Sequence, residues 1–395
     1  MQLLSQLKSI NTSYYMGYYD LNPIATDKNI LCLGWKGQNM GVVTLSEWNF
    51  ETNLMTTITD AAAFSQQMGN RQTYIKSDEY MTFREYQSGK VIGKLKHRVS
   101  GEELEIEPYF AMSIGGHYVP WNWLPYSQLR TSYGFLKLCQ ENKFTSFNFN
   151  AQKVGLKEIG THQETAVLTH SDVQALLETN ENFLIDHVQI SPSGRSMAFI
   201  AKPAVSNVGA SSAFFIWRRR LGWKQIGDFT QVSHYNFDKD DNIIIFAERK
   251  KIVSRNSKSL RKIYRYIKPV FQTFNKGNRL TSKLFNQQYF LIGQDNCISA
   301  VRSLPVGQDG HPSLSKEIII TDTYPDSKGN ISLIKSQQDR RASGLFERKN
   351  LNYDINFIDG ADRVDLHPKF NANLNIVCVD RLVENTRFVE VYSIQ

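Results

Sequence analysis

The 395-residue chain has four cysteines, eleven prolines and little helical periodicity, and each shortage excludes something. Cys32, Cys139, Cys297 and Cys378 are far apart and lack any CxxC spacing, which argues against a zinc ribbon or a disulfide framework. No apolar run reaches the roughly 18 residues that a membrane-spanning helix needs. The first residues, MQLLSQLKSINTSYYMGYYD, lack both a charged start with an apolar core and a small-residue cleavage site, so the expectation is a cytoplasmic protein. The chain has no GxSxG elbow, phosphate-binding Walker loop, GxGxxG after a strand, or HExxH. A paired-acid glycosidase stays open, because carboxylates from distant strands can meet without a local motif.

What the chain does have is a repeat. His187 opens HVQISPSGRSMAFI, His234 opens HYNFDKDDNIIIFA, His311 opens HPSLSKEIIITD and His367 opens HPKFNANLNIVCVD. Each copy sets an apolar residue three positions on, then a polar turn and an aliphatic strand. Half of the eight histidines therefore share one register. Three further copies start at Leu21, Gln72 and Tyr109, and Cys32 and Cys378 take matching strand positions, which assigns them to packing. Units of roughly 50 residues, each built of short strands, predict an all-β seven-bladed β-propeller spanning 1–395 as a single domain. The seven register residues would then ring one axis. Only one clear strand, RFVEVYSI, follows the last copy, so the N-terminal segment is expected to complete the final blade and protect its edge. SDVQALLE reads as a short helix capped by Ser171.

One segment breaks the pattern. Residues 249–283 hold twelve Lys or Arg and no acid, and without them the remainder of this +8 chain is net negative. Leu260, Ile263, Tyr264 and Ile267 fall at helical spacing among Arg261, Lys262, Arg265 and Lys268, and Pro269 ends the run. The spacing predicts a basic amphipathic helical insertion in blade five. It suits either a solvated cap or attachment to an anionic membrane surface, a lipid-linked glycan or an acidic polysaccharide. No RNP-like motif, zinc finger or recognition helix accompanies the charge, which argues against nucleic acid.

The histidines suggest chemistry. Imidazoles from adjacent blades can share one divalent metal, and His234, His311 and His367 are the candidate ligands. His187, next on the ring, is the candidate base for a proton made acidic by a metal-bound carboxylate. Tyr109 is a candidate donor to the leaving oxygen, and Arg130 and Arg363 are candidates for gripping carboxylates. Asp365, two residues before His367, is placed to orient that imidazole. The competing reading is structural: the histidines pin inner strands and Gln72 and Tyr109 fill the channel.

GYYD at 17–20, QQMG at 66–69, RTSYGF at 130–135, SH at 233–234, DGHPSLS at 309–315, TDTYPD at 321–326 and RVDLHPKF at 363–370 resemble landmarks of a bacterial propeller family. That family is similar in layout to oligogalacturonate lyases and occurs among surface-polysaccharide genes. The resemblance implies a divalent metal, manganese favoured, held by histidines and a glutamine at one channel mouth, and Gln72 is the matching glutamine. DRLVENTRF, in the last blade, departs from the family pattern by lacking a histidine.

Two functions follow as expectations. The first is a lyase that cleaves an acidic, uronic-acid oligosaccharide by metal-assisted β-elimination. The second is a glycan-binding protein or glycosyltransferase of surface-polysaccharide synthesis, peripheral to the inner membrane. A propeller used only as a protein-interaction platform is the generic third.

Overall fold

The computed structural model describes residues 1–9, 11–25, 29–37, 43–65, 67–130, 132–142, 147–204, 211–249, 287–305, 308–315, 318–326, 329–337, 346–352, 364–371, 375–384 and 386–394. These form the seven-bladed β-propeller that the repeat predicts. Blade one comprises Thr12–Tyr15, Ile30–Gly37, Val43–Asn49 and Leu54–Ala62, and blade two Thr73–Ile75, Tyr80–Gln87, Lys90–His97 and Glu103–Ile106. A single bridge, Ala62 to Glu85, links them. Blade three runs Tyr109–Met112, His117–Pro120, Lys153–Glu158 and Thr165–Thr169, and blade four Phe183–Ile190, Ser196–Pro203, Ala213–Arg218 and Gly222–Gln225. Blade five has Phe229–Phe237, Ile243–Arg249, Gln287–Ile292 and Ile298–Ala300. Blade six has Ser313–Leu314, Ile318–Asp322, Asn330–Gln337 and Phe346–Asn352.

Blade seven takes Lys369–Asn371, Ile376–Val383 and Thr386–Ser393, and its outermost strand is Gln2–Leu7 from the other end of the chain. Gln2 pairs with Ser393 and Leu7 with Val389. The expected closure is therefore present, and it covers an edge that would otherwise offer unpaired backbone groups. It uses only the first part of the N-terminal segment, since Thr12–Tyr15 already belongs to blade one.

The strands alternate in a way that explains why each blade is apolar on both faces. In Ser196–Pro203, Met197, Phe199 and Ala201 pack toward blade three, while Ala198 and Ile200 pack toward blade five. In blade seven, Ile376 and Cys378 face blade one, and Val377 and Val379 face blade six. Side chains of a strand point to opposite faces in turn, so every blade interface receives its own apolar cluster, up to the one that joins blade seven to blade one. Each fully buried Ile or Phe there contributes ~1.5–3 kcal/mol, and the ring closes because the last cluster needs the first blade. Cys32 and Cys378 are buried in these walls, consistent with the packing role.

Helix is confined to short pieces among the described residues: the α-helices Trp123–Leu129, Leu136–Glu141 and His170–Leu176, and a 3-10 turn at Phe149–Ala151. The first two interrupt blade three between its second and third strands. The third has Thr169, not Ser171, as its cap: Thr169 and Asp172 form a reciprocal capping box that starts the helix two residues earlier than expected. The basic insertion joins the second and third strands of blade five, and apart from Arg249, which pairs with Asp228, it lies outside the described residues. No helix among the described residues is long and apolar enough to cross a membrane.

Candidate functional site at the channel mouth

Four blades deliver their register histidine to one end of the central channel. His187 sits where the ladder slips between Asp186 and Gln189, and His234 where it slips between Val232 and Tyr235. Such bulges re-aim a side chain out of the strand plane. His187 and His367 also have positive φ, 51° and 43°, which turns each ring away from its blade. Consecutive imidazole centroids along the arc from His187 through His234 and His311 to His367 are 5.5, 4.2 and 4.4 Å apart. All four are buried.

Blade one contributes something else. Its innermost strand is split: Thr12–Tyr15 pairs with the far half of Ile30–Gly37, and Ile24 pairs with Leu31, while residues 16–22 leave the sheet for the channel. Tyr18 and Tyr19 pack against the arc, with Tyr18 centred 4.9 Å from His367 and Tyr19 5.0 Å from His311. Gly17 permits the excursion at φ +89°, and Gly69 of the QQMG loop touches it so closely that an added Cβ would stand 2.4 Å from the Gly17 Cα. Asp20 closes the turn by a bidentate ion pair with buried Arg71, at 3.1 and 2.6 Å. Gln72 donates to the carbonyls of Met16 and Cys32, and Asp380 of blade seven accepts from the Met16 N–H. The tyrosines are thus fastened from two sides.

Two carboxylates organise the imidazoles. Asp186 accepts from the Tyr126 hydroxyl at 2.6 Å, stands 3.0 Å from His187 Nδ1, and pairs with Lys202 at 2.9 Å and Arg130 at 3.2 Å. Burial opposes its charge, but His187, Lys202 and Arg130 hold the carboxyl well below the usual carboxylate range. His187 is pushed down to about 3, chiefly by burial, so it is neutral at physiological pH. Its Nδ1 faces Asp186, and its Nε2 lies 2.9 Å from the Tyr18 hydroxyl. Burial also raises the Tyr18 phenol well above its ordinary value. In blade six, Asp322 contacts His311 Nδ1 at 3.1 and 3.0 Å and accepts the backbone N–H of both His311 and His367. Burial pushes Asp322 up to about 7. His234 lies between the groups, beside Ser233, Asp309 and Tyr324, and burial lowers its pKa.

His311, Asp365 and His367 offer ligand atoms that all lie within 4.8 Å of one another, a donor set that suits a divalent metal. The neighbouring contacts fit that use. Asp322 occupies His311 Nδ1, which directs Nε2 toward Asp365, 4.0 Å away. Neither ring nitrogen of His367 has a hydrogen-bond partner among the described residues, and burial holds this imidazole neutral. An unsatisfied buried polar group costs ~1–3 kcal/mol, so the fold carries a penalty here that ligation would relieve.

Among the candidates named from sequence, the structure brings together His187, His234, His311 and His367, joins Arg130 to them through Asp186, and puts Asp365 beside His311. It does not bring Tyr109 to them. Tyr109 lies in the wall between blades two and three, under the Arg84 guanidinium and among Ile75, Leu95, Met112 and Tyr118. Gln72 acts on the tyrosine excursion as described, and its amide oxygen has no hydrogen-bond partner among the described residues. Arg363 lies outside the described residues. Sequence reasoning missed Tyr18, Asp186, Lys202 and Asp322 as site members. The signals were present for three: Asp186 directly precedes His187, Tyr18 lies within GYYD and Asp322 within TDTYPD.

No known sequence family matches the chain, and no curated protein matches it. Solved structures do match. An oligogalacturonate lyase in complex with manganese aligns over 100% of this chain and 97% of its own, at 11% identity and TM-score 0.61. A prolyl endopeptidase aligns over 97% of this chain and 48% of its own, at 8% identity and TM-score 0.54. The β-propeller domain of Cps50 from Myceliophteria thermophila aligns over 100% of both chains, at 10% identity and TM-score 0.50. At these identities the likeness concerns the fold: a seven-bladed propeller shared by proteins of unlike function.

Proposed function

We propose that this propeller is a lyase-like enzyme that cleaves an acidic, uronic-acid glycan by metal-assisted β-elimination, with a surface polysaccharide as the intended substrate class. The observation that carries the reading is the buried arc of four imidazoles that ends at His367, whose two ring nitrogens have no hydrogen-bond partner among the described residues. A structural histidine would have been satisfied by the strand it pins. Two cations that could meet an anionic substrate, Arg130 and Lys202, both pair with Asp186 and are partly exposed.

A divalent cation held by His311, Asp365 and His367, manganese favoured, would when bound neutralise the substrate carboxylate and acidify the proton alpha to it. The protein's own groups do the rest. Arg130 and Lys202 draw in and orient the uronate. His187 takes the alpha proton on Nε2, the nitrogen that faces the Tyr18 hydroxyl, while Asp186 at Nδ1 favours the tautomer whose lone pair is on Nε2. Asp322 fixes His311 for ligation. The manganese-bound lyase of similar fold supports the metal choice and the reaction class.

Elemental analysis of the purified full-length protein tests the centre, and ultraviolet absorbance of an unsaturated uronate tests the reaction. A stoichiometric transition metal together with EDTA-sensitive product is expected. No bound metal and no product from any uronate would overturn the reading and favour a glycan-binding role.

A further inference from the structure

We propose that Tyr18 and His187 form one hydrogen-bonded acid–base pair, that elimination in this site is therefore syn, and that the substrate is a uronate with an equatorial 4-oxygen. This rests on the lyase reading and narrows its substrate to gluco- or manno-configured D-uronates.

The argument starts from one contact. The Tyr18 hydroxyl is 2.9 Å from His187 Nε2, and Asp186 stands 3.0 Å from Nδ1 on the other side of the ring. Lys202 Nζ also lies 3.3 Å from Nδ1 but is itself held by Asp186 at 2.9 Å, so the nearer carboxylate takes the Nδ1 proton, Nε2 carries the lone pair and the phenol is the donor. Tyr18 is fastened in that place by Gly17, Gln72 and the Asp20–Arg71 pair, and its ring packs against His367. Base, acid and candidate metal ligand thus meet at one side chain.

β-Elimination needs both halves of such a pair. The electrons of the C5–H bond form the C4=C5 double bond as the C4–O bond breaks. Nε2 takes the C5 proton and the Tyr18 hydroxyl gives its own to the departing oxygen. The imidazolium then returns a proton to the phenolate across the same hydrogen bond, so the pair is reset without any co-reactant.

The short contact decides the stereochemistry. An acid and a base must each come within ~2.6–3.2 Å of its target atom. Groups serving opposite faces of a pyranose would stand more than twice that distance apart, with the ring between them. Two atoms in mutual hydrogen-bond contact must work from one side, so the C5 proton and the 4-oxygen leave from the same face. In gluco- and manno-configured uronates the 4-oxygen is equatorial and gauche to the axial C5 hydrogen. In galacturonate it is axial and anti to that hydrogen.

The test uses the metal-loaded full-length protein with oligomers of glucuronate, of mannuronate and of galacturonate. Unsaturated product from glucuronate or mannuronate but not galacturonate is expected. Preference for galacturonate would overturn syn elimination and leave the lyase reading intact, and product from none would overturn both. Tyr18→Phe keeps the ring packing and should lower kcat ~10²–10⁴-fold with little change in KM on a sugar leaving group. A 4-deoxy-4-fluoro uronate, whose fluoride leaves without a proton, should restore its turnover. Equal losses on both substrates would make Tyr18 a packing residue and overturn the pair.

Discussion

Asp322 grips His311 at both ends: its carboxylate meets the imidazole Nδ1 at 3.0 Å and accepts the backbone N–H of the same residue. Few rotations are left to that ring. Asp322→Asn keeps the shape but weakens the acceptor, and metal affinity should fall ~10–100-fold. Titration of the metal-free protein followed by calorimetry would measure it. An unchanged affinity would remove His311 from the centre.

Metal should also stabilise the fold, because binding to the native state alone raises stability by mass action. An excess of 100 times Kd corresponds to about 2.7 kcal/mol. The melting temperature of the wild-type protein is expected to rise with manganese. That of His367→Ala should not, and an equal rise in both would place binding elsewhere.

Stability should climb with pH through the weakly acidic range. His187 titrates at about 3 when folded and near its ordinary 6.5 when unfolded, so the unfolded chain binds more protons between those values. The contribution is present above about 6.5 and is lost as pH falls toward 3. His234 and His367 shift in the same direction, also chiefly through burial. Asp322, raised to about 7, has the opposite sign: the folded protein binds its proton more tightly, which favours the fold at low pH. The three imidazoles, joined by Asp186 at the acid end, oppose Asp322, so urea midpoints of the metal-free protein should rise from pH 4 to 6.5. A flat or falling profile would mean that the imidazoles are not buried neutral.

The Asp20–Arg71 pair is buried on both sides, and removing one partner leaves an uncompensated charge. Arg71→Ala is expected to cost ~3–5 kcal/mol in urea unfolding, and Asp20→Asn combined with Arg71→Met much less. Additive losses would show that the pair is not coupled.

Closure of the ring makes its own prediction. Deleting residues 1–7 strips the outer strand from Thr386–Ser393 and should lower the melting temperature and promote aggregation through the exposed edge. Unchanged melting and solubility would mean that blade seven does not depend on that strand.

Much of this architecture could be read along the chain, because a strand's period of two and a repeated turn are local. The shared register of His187, His234, His311 and His367 predicted a common end of the channel, and Cys32 and Cys378 predicted wall positions. The same register misled at Tyr109, which pairs with Pro120 ahead of the slip in its ladder rather than within it, and whose ring packs under Arg84 in the wall. Gln72 kept its place yet spends its amide N–H on the tyrosine excursion.

Sequence by itself determined the number of blades and their order, since these follow from short-range pattern repeated seven times, but not where each inner strand starts: His187 and His234 lie inside theirs and Leu21 outside any. Tertiary structure alone decided that Tyr18, from the broken strand of blade one, meets His187 across 169 residues, and that Asp322 serves a histidine of its own blade and the backbone of the next. Those contacts depend on bulges, positive φ angles and a closed circle of blades, and no local spacing encodes where a ring will point once the circle has closed.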